Sequence, residues 1–168
     1  MNIVLETDRL RIREFSTQDA SFIIELLNSP GWLQYIGDRH VHTEEQAIAY
    51  LQNGPIKSYA QNGFGLWMVA LKEANTPIAM CGIIRRDFLE YPDIGFALLP
   101  SFMGQGYAFE MASAVLAYAT TQLQLAKLCA IVLAENEHSI KLLNKLNFRP
   151  QSTIVYPGTE DELLLYTN

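Results

Sequence analysis

The chain alternates between short apolar runs and longer stretches in which apolar residues recur every three or four positions. The short runs have the length and the β-branched or aromatic content of strands. Seven segments fit this description: Leu10–Phe15, Leu66–Leu71, Ile78–Ile84, Ile94–Leu98, Lys127–Leu133, Ser152–Tyr156 and Glu162–Tyr166. We therefore predict about seven strands.

The longer stretches carry helix signals, with N-cap residues or capping boxes in front of an apolar repeat. They predict four helices, which begin near Ser16, Thr43, Gly106 and Asn136. Asn28–Gly31 and Asn53–Pro55 contain Pro and Gly and predict the ends of the first two helices. An aromatic loop, 32–40, is expected between them. Because no repeat or long linker divides the chain, we expect residues 1–168 to form one α/β (α+β) domain with helices on a single mixed sheet.

Composition and charge narrow the class of protein. The chain has 168 residues and a net charge of −6, and a basic surface for nucleic acid is not expected at this charge. No segment approaches the ~18 apolar residues of a membrane span, and the first residues lack the apolar run of a signal peptide. We therefore expect a cytoplasmic protein with no membrane or nucleic-acid partner.

Cys81 and Cys129 lie in strand-like runs, which favours buried free thiols over a disulfide or metal pair.

Basic residues cluster locally only in the segments Arg9–Arg13 and Arg85–Arg86. In the first segment the arginines alternate with Leu10 and Ile12. This period of two predicts a half-buried strand with its arginines facing solvent.

The candidate chemistry begins where the strand-like run Asp93–Leu98 leads through Gly104-Gln-Gly106 into the longest predicted helix. Glycines allow a close approach of the backbone to a ligand, and a helix N-terminus favours negative charge, so this turn is a candidate phosphate cradle. The alternative is that the glycines serve only their own φ angles. Phe109 occupies the third small position of a dinucleotide fingerprint, and the chain has no Gly-Lys-Ser/Thr. Both familiar phosphate motifs are therefore excluded.

Four motifs occur in order along nearly the whole chain: Thr7–Arg13, Asp93–Leu98, Gly104–Ala108 with Glu110, and Asn136-x-x-Ser139 followed by Leu142–Phe148. Together they resemble the GNAT superfamily of N-acetyltransferases, and more closely its RimJ/RimL-type ribosomal-protein N-terminal acetyltransferase branch. The resemblance implies a mostly antiparallel sheet whose fourth and fifth strands splay apart. Acetyl-CoA would lie in the gap, and an amine acceptor would enter from the opposite side. No metal is expected.

The resemblance also implies which residues hold the cofactor. Backbone N–H groups of the turn would bind the pyrophosphate, the strand before it would pair with the pantetheine, and the start of the last helix would lie beside the thiol. The implied residues are Phe96, Ala97, Leu98, Met103, Gly104, Gln105, Gly106, Tyr107, Ala108, Asn136 and Ser139. Asn136 is equally explained as a helix cap.

Three positions depart from the family pattern. Ser101 replaces the Arg or Gln that often begins the glycine motif, Leu143 replaces a tyrosine that serves as the acid in many relatives, and Asn147 replaces a glycine. Ser101 removes a side-chain contact and is expected to weaken cofactor binding without abolishing it. Asn147 is a conservative replacement, because Asn tolerates the left-handed conformation. The loss of the acid leaves two functions open: an N-acetyltransferase, or a non-catalytic acyl-CoA-binding or regulatory module.

Amide formation requires a neutral amine, a donor for the oxyanion and a departing thiolate. We take Asp93, Tyr107 and Ser139 as catalytic candidates. Asp93 would act as base directly or through water, or would be only a solvated residue at the strand end. Glu110 is better explained by the helix dipole.

The acceptor pocket is predicted to have aromatic walls and few charges, formed by Trp32, Tyr35, Arg39 and Tyr156, although the aromatic residues are also explained by packing. At pH 7 an α-amine is neutral in about one molecule in seven and a lysine in about one in 2,500. A site with few bases therefore favours an α-amine of a protein or peptide, with a small metabolite amine as the alternative. The protein is expected to be a monomer or a homodimer.

Overall fold

A computed structural model describes residues 2–168. Eight strands form one sheet in the order β1-β2-β3-β4-β5-β6-β8-β7. They are β1 Ile3–Glu6, β2 Leu10–Arg13, β3 Leu66–Leu71, β4 Pro77–Ile84, β5 Asp93–Leu98, β6 Cys129–Val132, β7 Arg149–Val155 and β8 Glu162–Thr167. Neighbouring strands are antiparallel except β5 and β6, which are parallel. The predicted mixed and mostly antiparallel sheet is confirmed.

One strand was not predicted. β1 pairs antiparallel with β2 at the edge of the sheet, and its four residues are exposed or half-buried. A segment this short shows little alternation of polar and apolar residues, so the sequence did not separate it from the chain terminus. The fourth and fifth strands of the prediction are therefore β5 and β6.

Six α-helices cover the sheet where four were predicted: α1 Ala20–Leu27, α2 Pro30–Tyr35, α3 Glu44–Leu51, α4 Lys57–Asn62, α5 Tyr107–Thr121 and α6 Glu137–Lys145. Pro30 begins α2 instead of ending the helical region, because the first turn of a helix needs no N–H at that position. The expected loop after Gly31 is therefore partly helical. Pro55 lies in a π-helical stretch, Gln52–Ile56, that joins α3 to α4, so the second predicted helix does not end there.

The two faces of the sheet bury separate cores. On one face, Trp67, Val69 and Ile83 pack with residues of α5 and α6 such as Val115 and Leu142. On the other face, the core consists mainly of residues from α1, α2 and α3, joined by Met68 and Met80 of the sheet. The sheet is thus covered on both sides where β2 to β5 run.

This covering corrects the prediction for Arg13 of the first basic segment, whereas Arg9 is exposed and Arg11 is half-buried. Arg13 is only 8% exposed, and its guanidinium forms two hydrogen bonds with Asp19, at 2.8 and 2.7 Å. The period of two is present, but α1 lies over the face that was assigned to solvent. An alternating pattern identifies two faces of a strand and does not show whether a helix covers the polar one.

Cys81 and Cys129 are buried and free, as predicted. None of the helices in the described part of the chain has the length and apolar character needed to cross a bilayer.

Candidate active site

The site is organised by a gap between β5 and β6. Their register contains a single pair, Asp93 with Cys129, and the N–H of Cys129 donates to the carbonyl of Pro92 at 3.0 Å. β5 remains paired with β4 from Asp93 to Leu98. The predicted splay is therefore present, and Asp93 lies where the two strands separate.

The gap exposes alternate main-chain groups of β5. The N–H of Leu99 donates to Ile78 of β4 at 2.9 Å, and main-chain groups along a strand point alternately to its two neighbours. The groups of Phe96 and Leu98 therefore face the gap, as expected for partners of a pantetheine. Ala97 was included in that prediction, but its main-chain groups face β4 and are not available to a ligand in the gap.

The glycine turn leads from β5 to the N-terminus of α5. Gly104 and Gly106 have φ angles of +74° and +83°, in the left-handed region that favours glycine. Gly106 is the N-cap of α5 and offers no side chain to the first N–H groups, which lack partners within the helix. The φ angles confirm the conformational reason for the glycines, and the role of the turn as a phosphate cradle stays a prediction.

Arg9 stabilises this turn, a role that was not predicted from the sequence. Its Nη1 donates to the carbonyl of Gln105 at 3.0 Å, and its Nε and Nη2 lie 2.7 and 2.6 Å from Glu110. Glu110 also accepts a hydrogen bond from Thr7 at 2.6 Å. Partial burial opposes ionisation of Glu110, but the hydrogen bonds from Thr7 and Arg9 outweigh it and lower its pKa. Glu110 is therefore a structural anchor of the turn, beyond any effect of the helix dipole.

A cleft of about 1180 Å³ begins at the gap and extends past α2 and α3. It brings together eight of the predicted site residues: Trp32, Tyr35, Arg39, Asp93, Phe96, Asn136, Ser139 and Tyr156. The glycine turn and Leu98 lie outside its lining. Tyr107 also lies outside, where its ring packs 4.4 Å below the guanidinium of Arg9. Among the catalytic candidates, the structure therefore places Asp93 and Ser139 in one cleft and Tyr107 beside the turn.

Asp93 is a buried carboxyl group, 2% exposed. Its Oδ1 accepts one hydrogen bond from Nε of Arg86 at 2.9 Å. Burial raises the pKa of Asp93 to about 6, although the positive charge and hydrogen bond of Arg86 act in the opposite direction. A carboxylate with such a pKa is mostly ionised at pH 7 and is close to the optimum for a general base. The expectation of a solvated strand-end residue is wrong, because the residue is not solvated.

Arg86 was missed as a site residue, since the sequence showed only a short basic run. It joins Asp93 to Tyr156: its Nη1 donates to the Tyr156 hydroxyl at 3.0 Å. The rings of Phe88 and Tyr156 meet edge to face with centroids 5.3 Å apart, and both lie near the guanidinium. Arg86 and Phe88 lie far from Tyr156 in the sequence, so no local pattern predicts their contact.

The start of α6 lines the cleft on the side where the resemblance places the cofactor. The Asn136 side chain caps the helix by accepting from the N–H of Ser139 at 3.2 Å, and both residues line the cleft. The cap explains why Asn is present, and its position leaves a contact with the cofactor possible. Leu143 also lines the cleft and is 1% exposed, so an apolar side chain occupies the place of the family's tyrosine.

The opposite wall is aromatic, as predicted, but it is not poor in charge. Trp32 is 7% exposed, and its indole N–H donates to the carbonyl of Gly37 at 3.1 Å. Trp32 therefore closes the core and lines the cleft at the same time. Tyr50 of α3 was not predicted but lines the same wall. The cationic residues of the lining are Arg39, Lys57, Arg85 and Arg86.

The two cysteines are poor nucleophiles here. Burial, with the nearby charge of Asp93, raises the pKa of Cys129 to about 11, and burial raises that of Cys81 further. Both thiols are therefore neutral at pH 7.

The loop after α2 brings Asp38, His40 and His42 together with potential ligand atoms within 4.8 Å of one another. All three side chains are exposed, and contacts of 3.3 and 3.9 Å join the imidazoles to Asp38. The contacts with Asp38 are sufficient to explain why these exposed polar side chains lie together. The expectation that the protein needs no metal stays a prediction.

Comparison with known families identifies the class of protein. The model of the acetyltransferase (GNAT) domain matches residues 9–149, which includes the gap, the glycine turn and α6. The chain belongs to the GNAT acetyltransferase family. It is therefore an acyltransferase that uses acetyl-CoA to acetylate an amine, and not a non-catalytic binding module.

Individual relatives are distant. The uncharacterized N-acetyltransferase YoaA of Bacillus subtilis (strain 168) is 28% identical over 153 residues, covering 90% of this chain and 85% of YoaA. An acetyltransferase from Agrobacterium tumefaciens str. C58 has a similar structure, with a TM-score of 0.82, 22% identity and coverage of 98% and 92%. RimL, a ribosomal L7/L12 α-N-protein acetyltransferase solved with coenzyme A, has a TM-score of 0.83, 17% identity and coverage of 99% and 97%. At these identities the solved structures show the shared fold.

Proposed function

We propose that this enzyme acetylates the α-amine of a protein or peptide by direct attack of the amine on acetyl-CoA in a ternary complex, as a member of the RimJ/RimL-type branch. The observation that carries the proposal is the buried Asp93 at the point where β5 and β6 separate, between the cofactor gap and the aromatic wall. One carboxyl group thus lies where the two substrates would meet.

The pKa of Asp93 favours an α-amine over lysine. Moving a proton to a carboxylate with a pKa of about 6 costs about 2.5 kcal/mol from an α-ammonium and about 6 kcal/mol from a lysine ammonium, at 1.36 kcal/mol per pKa unit. The smaller cost leaves a lower barrier for proximity and orientation to overcome. Because Asp93 is buried, the proton would pass through one water molecule or over a short contact.

The residues that would bind acetyl-CoA are mainly those whose polar groups have no partner within residues 2–168 and face the site. The N–H groups of Gly104–Ala108 would hold the pyrophosphate, and the main-chain groups of Phe96 and Leu98 would extend the sheet with the pantetheine. Met103 was also expected to bind the pyrophosphate, but its N–H already donates to the carbonyl of Pro100 at 3.2 Å. Asn136 would lie beside the pantetheine. Ser139 forms no side-chain hydrogen bond with any of residues 2–168, so its hydroxyl is our candidate for protonating the thiolate in place of Leu143.

The acceptor amine would enter along the wall formed by Trp32, Tyr35, Arg39 and Tyr156. We further propose that residues 1–168 work as one N-acetyltransferase domain, since both cores are built on the same sheet. Cytoplasmic location and a monomeric or homodimeric state stay predictions from the sequence.

The proposal is tested by release of CoA thiol with two sets of peptides. One set has a free N-terminus, and the other is blocked at the N-terminus and carries lysine. We expect acetylation of the free N-termini. Preferential acetylation of the lysine peptides would overturn the α-amine assignment.

The cofactor turn is tested by Gly106→Val. Valine adds a side chain beside the proposed pyrophosphate site, where a Cβ also comes within 3.3 Å of Nη2 of Arg9. We expect calorimetry to show at least about tenfold weaker acetyl-CoA binding. Gly63→Val is the matched control, because Gly63 has a similar φ of +75°, open space around it and no contact with the turn. Equal affinities in the two folded variants would exclude the turn as the cradle.

A further inference from the structure

The charge of the cleft is opposite to that of the whole chain. The protein has a net charge of −6, yet the cleft is lined by four cationic side chains and only two carboxylates, Asp93 and Asp161. Asp93 is already paired with Arg86. Such a local excess of positive charge in an acidic protein indicates that the cleft binds an anionic group.

Arg86 has donors left for a ligand. Nε and Nη1 are used by Asp93 and Tyr156, whereas Nη2 forms no hydrogen bond within residues 2–168 and is not among the buried unpaired atoms. The side chain is 22% exposed. Arg86 is thus held in place by two protein contacts while one edge of its guanidinium is open to the cleft.

Arg39 lines the same cleft from the loop between α2 and α3. It is exposed and forms no ion pair with the rest of the described chain. Burial raises the pKa of Tyr50, and the positive charges of Arg39 and Arg86 oppose that rise. All three residues line the cleft and form what we call the Arg39–Tyr50–Arg86 cluster.

Resting on the proposed function, we infer that the acceptor carries a carboxylate a few bonds from its amine and that the Arg39–Tyr50–Arg86 cluster binds this carboxylate. Guanidinium groups present parallel N–H donors that match a carboxylate, and a phenol adds a third donor. Because Arg86 also contacts Asp93, a carboxylate on Nη2 would place a neighbouring nitrogen close to the proposed base. The carboxylate would belong either to a free amino acid or to an acidic first residue of a peptide.

Matched acceptors distinguish these sources. A free amino acid is compared with its amide, and peptide amides that begin with Asp or Glu are compared with those that begin with Asn or Gln. CoA thiol release gives kcat/KM for each. We expect at least a tenfold preference for the charged member of one pair, and the pair that shows it identifies the source. A preference for the free amino acid would support the inference and replace the peptide acceptor of the proposed function with a small α-amine. Equal kcat/KM within both pairs would overturn the inference and leave the proposed function intact.

Two variants assign the preference to the cluster. Arg39→Gln is expected to lower kcat/KM for the carboxylate acceptor about tenfold through KM and so to reduce the preference for it over the neutral partner. Lys141→Gln removes the same charge from an exposed position of α6 outside the cleft and is expected to change neither. A preference that survives Arg39→Gln undiminished would contradict the inference. Absence of thiol release with every acceptor would instead overturn the proposed function, and the inference with it.

Discussion

Two arginine–aspartate pairs, each with a buried carboxyl group, lie at the end of β2 and at the start of β5 and have opposite properties. Asp19 accepts two hydrogen bonds from Arg13, at 2.8 and 2.7 Å, and a third from the N–H of Ser16 at 2.8 Å. Asp93 accepts a single hydrogen bond from Arg86, at 2.9 Å, and the rest of that guanidinium turns to Tyr156 and the cleft.

The depth of burial and the number of donors together set the ionisation of each carboxyl group, since Asp93 is 2% and Asp19 9% exposed. Burial favours the neutral form of both. At Asp19 the hydrogen bonds from Arg13 and Ser16 outweigh burial and lower the pKa, whereas at Asp93 one contact with Arg86 does not, and the pKa rises to about 6. The same two residue types therefore make a permanent ion pair at one place and a proton acceptor at the other.

The largest expected effect is on stability at the first pair. Asp19→Ala leaves the buried guanidinium of Arg13 without its carboxylate, and we expect the free energy of unfolding to fall by about 3 kcal/mol or more. Chemical denaturation measures this. The control is Asp8→Ala, at an exposed position, with an expected change below about 0.5 kcal/mol. A loss below about 1 kcal/mol at Asp19 would show that the pair is not a structural requirement.

The pH dependence of stability should have opposite signs at the two pairs. Asp93 binds a proton more tightly in the folded state, so its contribution to stability falls as pH rises from about 4 to 6, by up to about 3 kcal/mol. Asp19 has a lowered pKa, so its contribution is present above its ordinary value of 3.8 and is lost as pH falls below it.

Each contribution is obtained by subtracting the stability of Asp93→Asn or Asp19→Asn from that of the unchanged protein at every pH. Parallel difference curves for the two positions would contradict the distinction between the pairs.

The third effect is on turnover. Asp93→Asn removes the proposed base, and we expect kcat/KM near pH 7 to fall roughly a hundredfold. The loss should shrink at high pH, where the acceptor amine is already neutral, while acetyl-CoA affinity stays unchanged. In the unchanged enzyme, kcat/KM should decline below about pH 6 as Asp93 becomes protonated. A uniform loss at all pH values would indicate structural damage, and full activity would remove Asp93 from the mechanism.

The two pairs also show what the sequence could reveal. Features fixed by neighbours in the chain were predictable: the glycine turn with its left-handed residues, the Asn136 cap and the bounds of β3. Contacts between distant segments were not, and Arg86 reaches Tyr156 across 70 positions. The splayed strands were predicted from family resemblance, because periodicity alone does not determine where two strands separate.

The smallest expected effect concerns the link from Arg86 to Tyr156. Tyr156→Phe removes the hydroxyl that accepts from Nη1 of Arg86 at 3.0 Å and keeps the ring that packs against Phe88. One such hydrogen bond contributes about 1 kcal/mol, so we expect a roughly fivefold lower kcat/KM. The pH below which activity declines should not change, because Arg86 keeps its contact with Asp93.

Tyr118→Phe provides the control for Tyr156→Phe, since Tyr118 packs against Trp67 and its hydroxyl has no hydrogen bond within the described residues. It should leave kcat/KM unchanged. A loss above about a hundredfold in Tyr156→Phe would exceed one positioning hydrogen bond and would make Tyr156 the acid that protonates the thiolate. In that case Ser139 would lose the role proposed for it. An unchanged kcat/KM in Tyr156→Phe would show that Asp93 alone holds Arg86. The one hydrogen bond between them would then be sufficient to position the Arg86 guanidinium in the cleft.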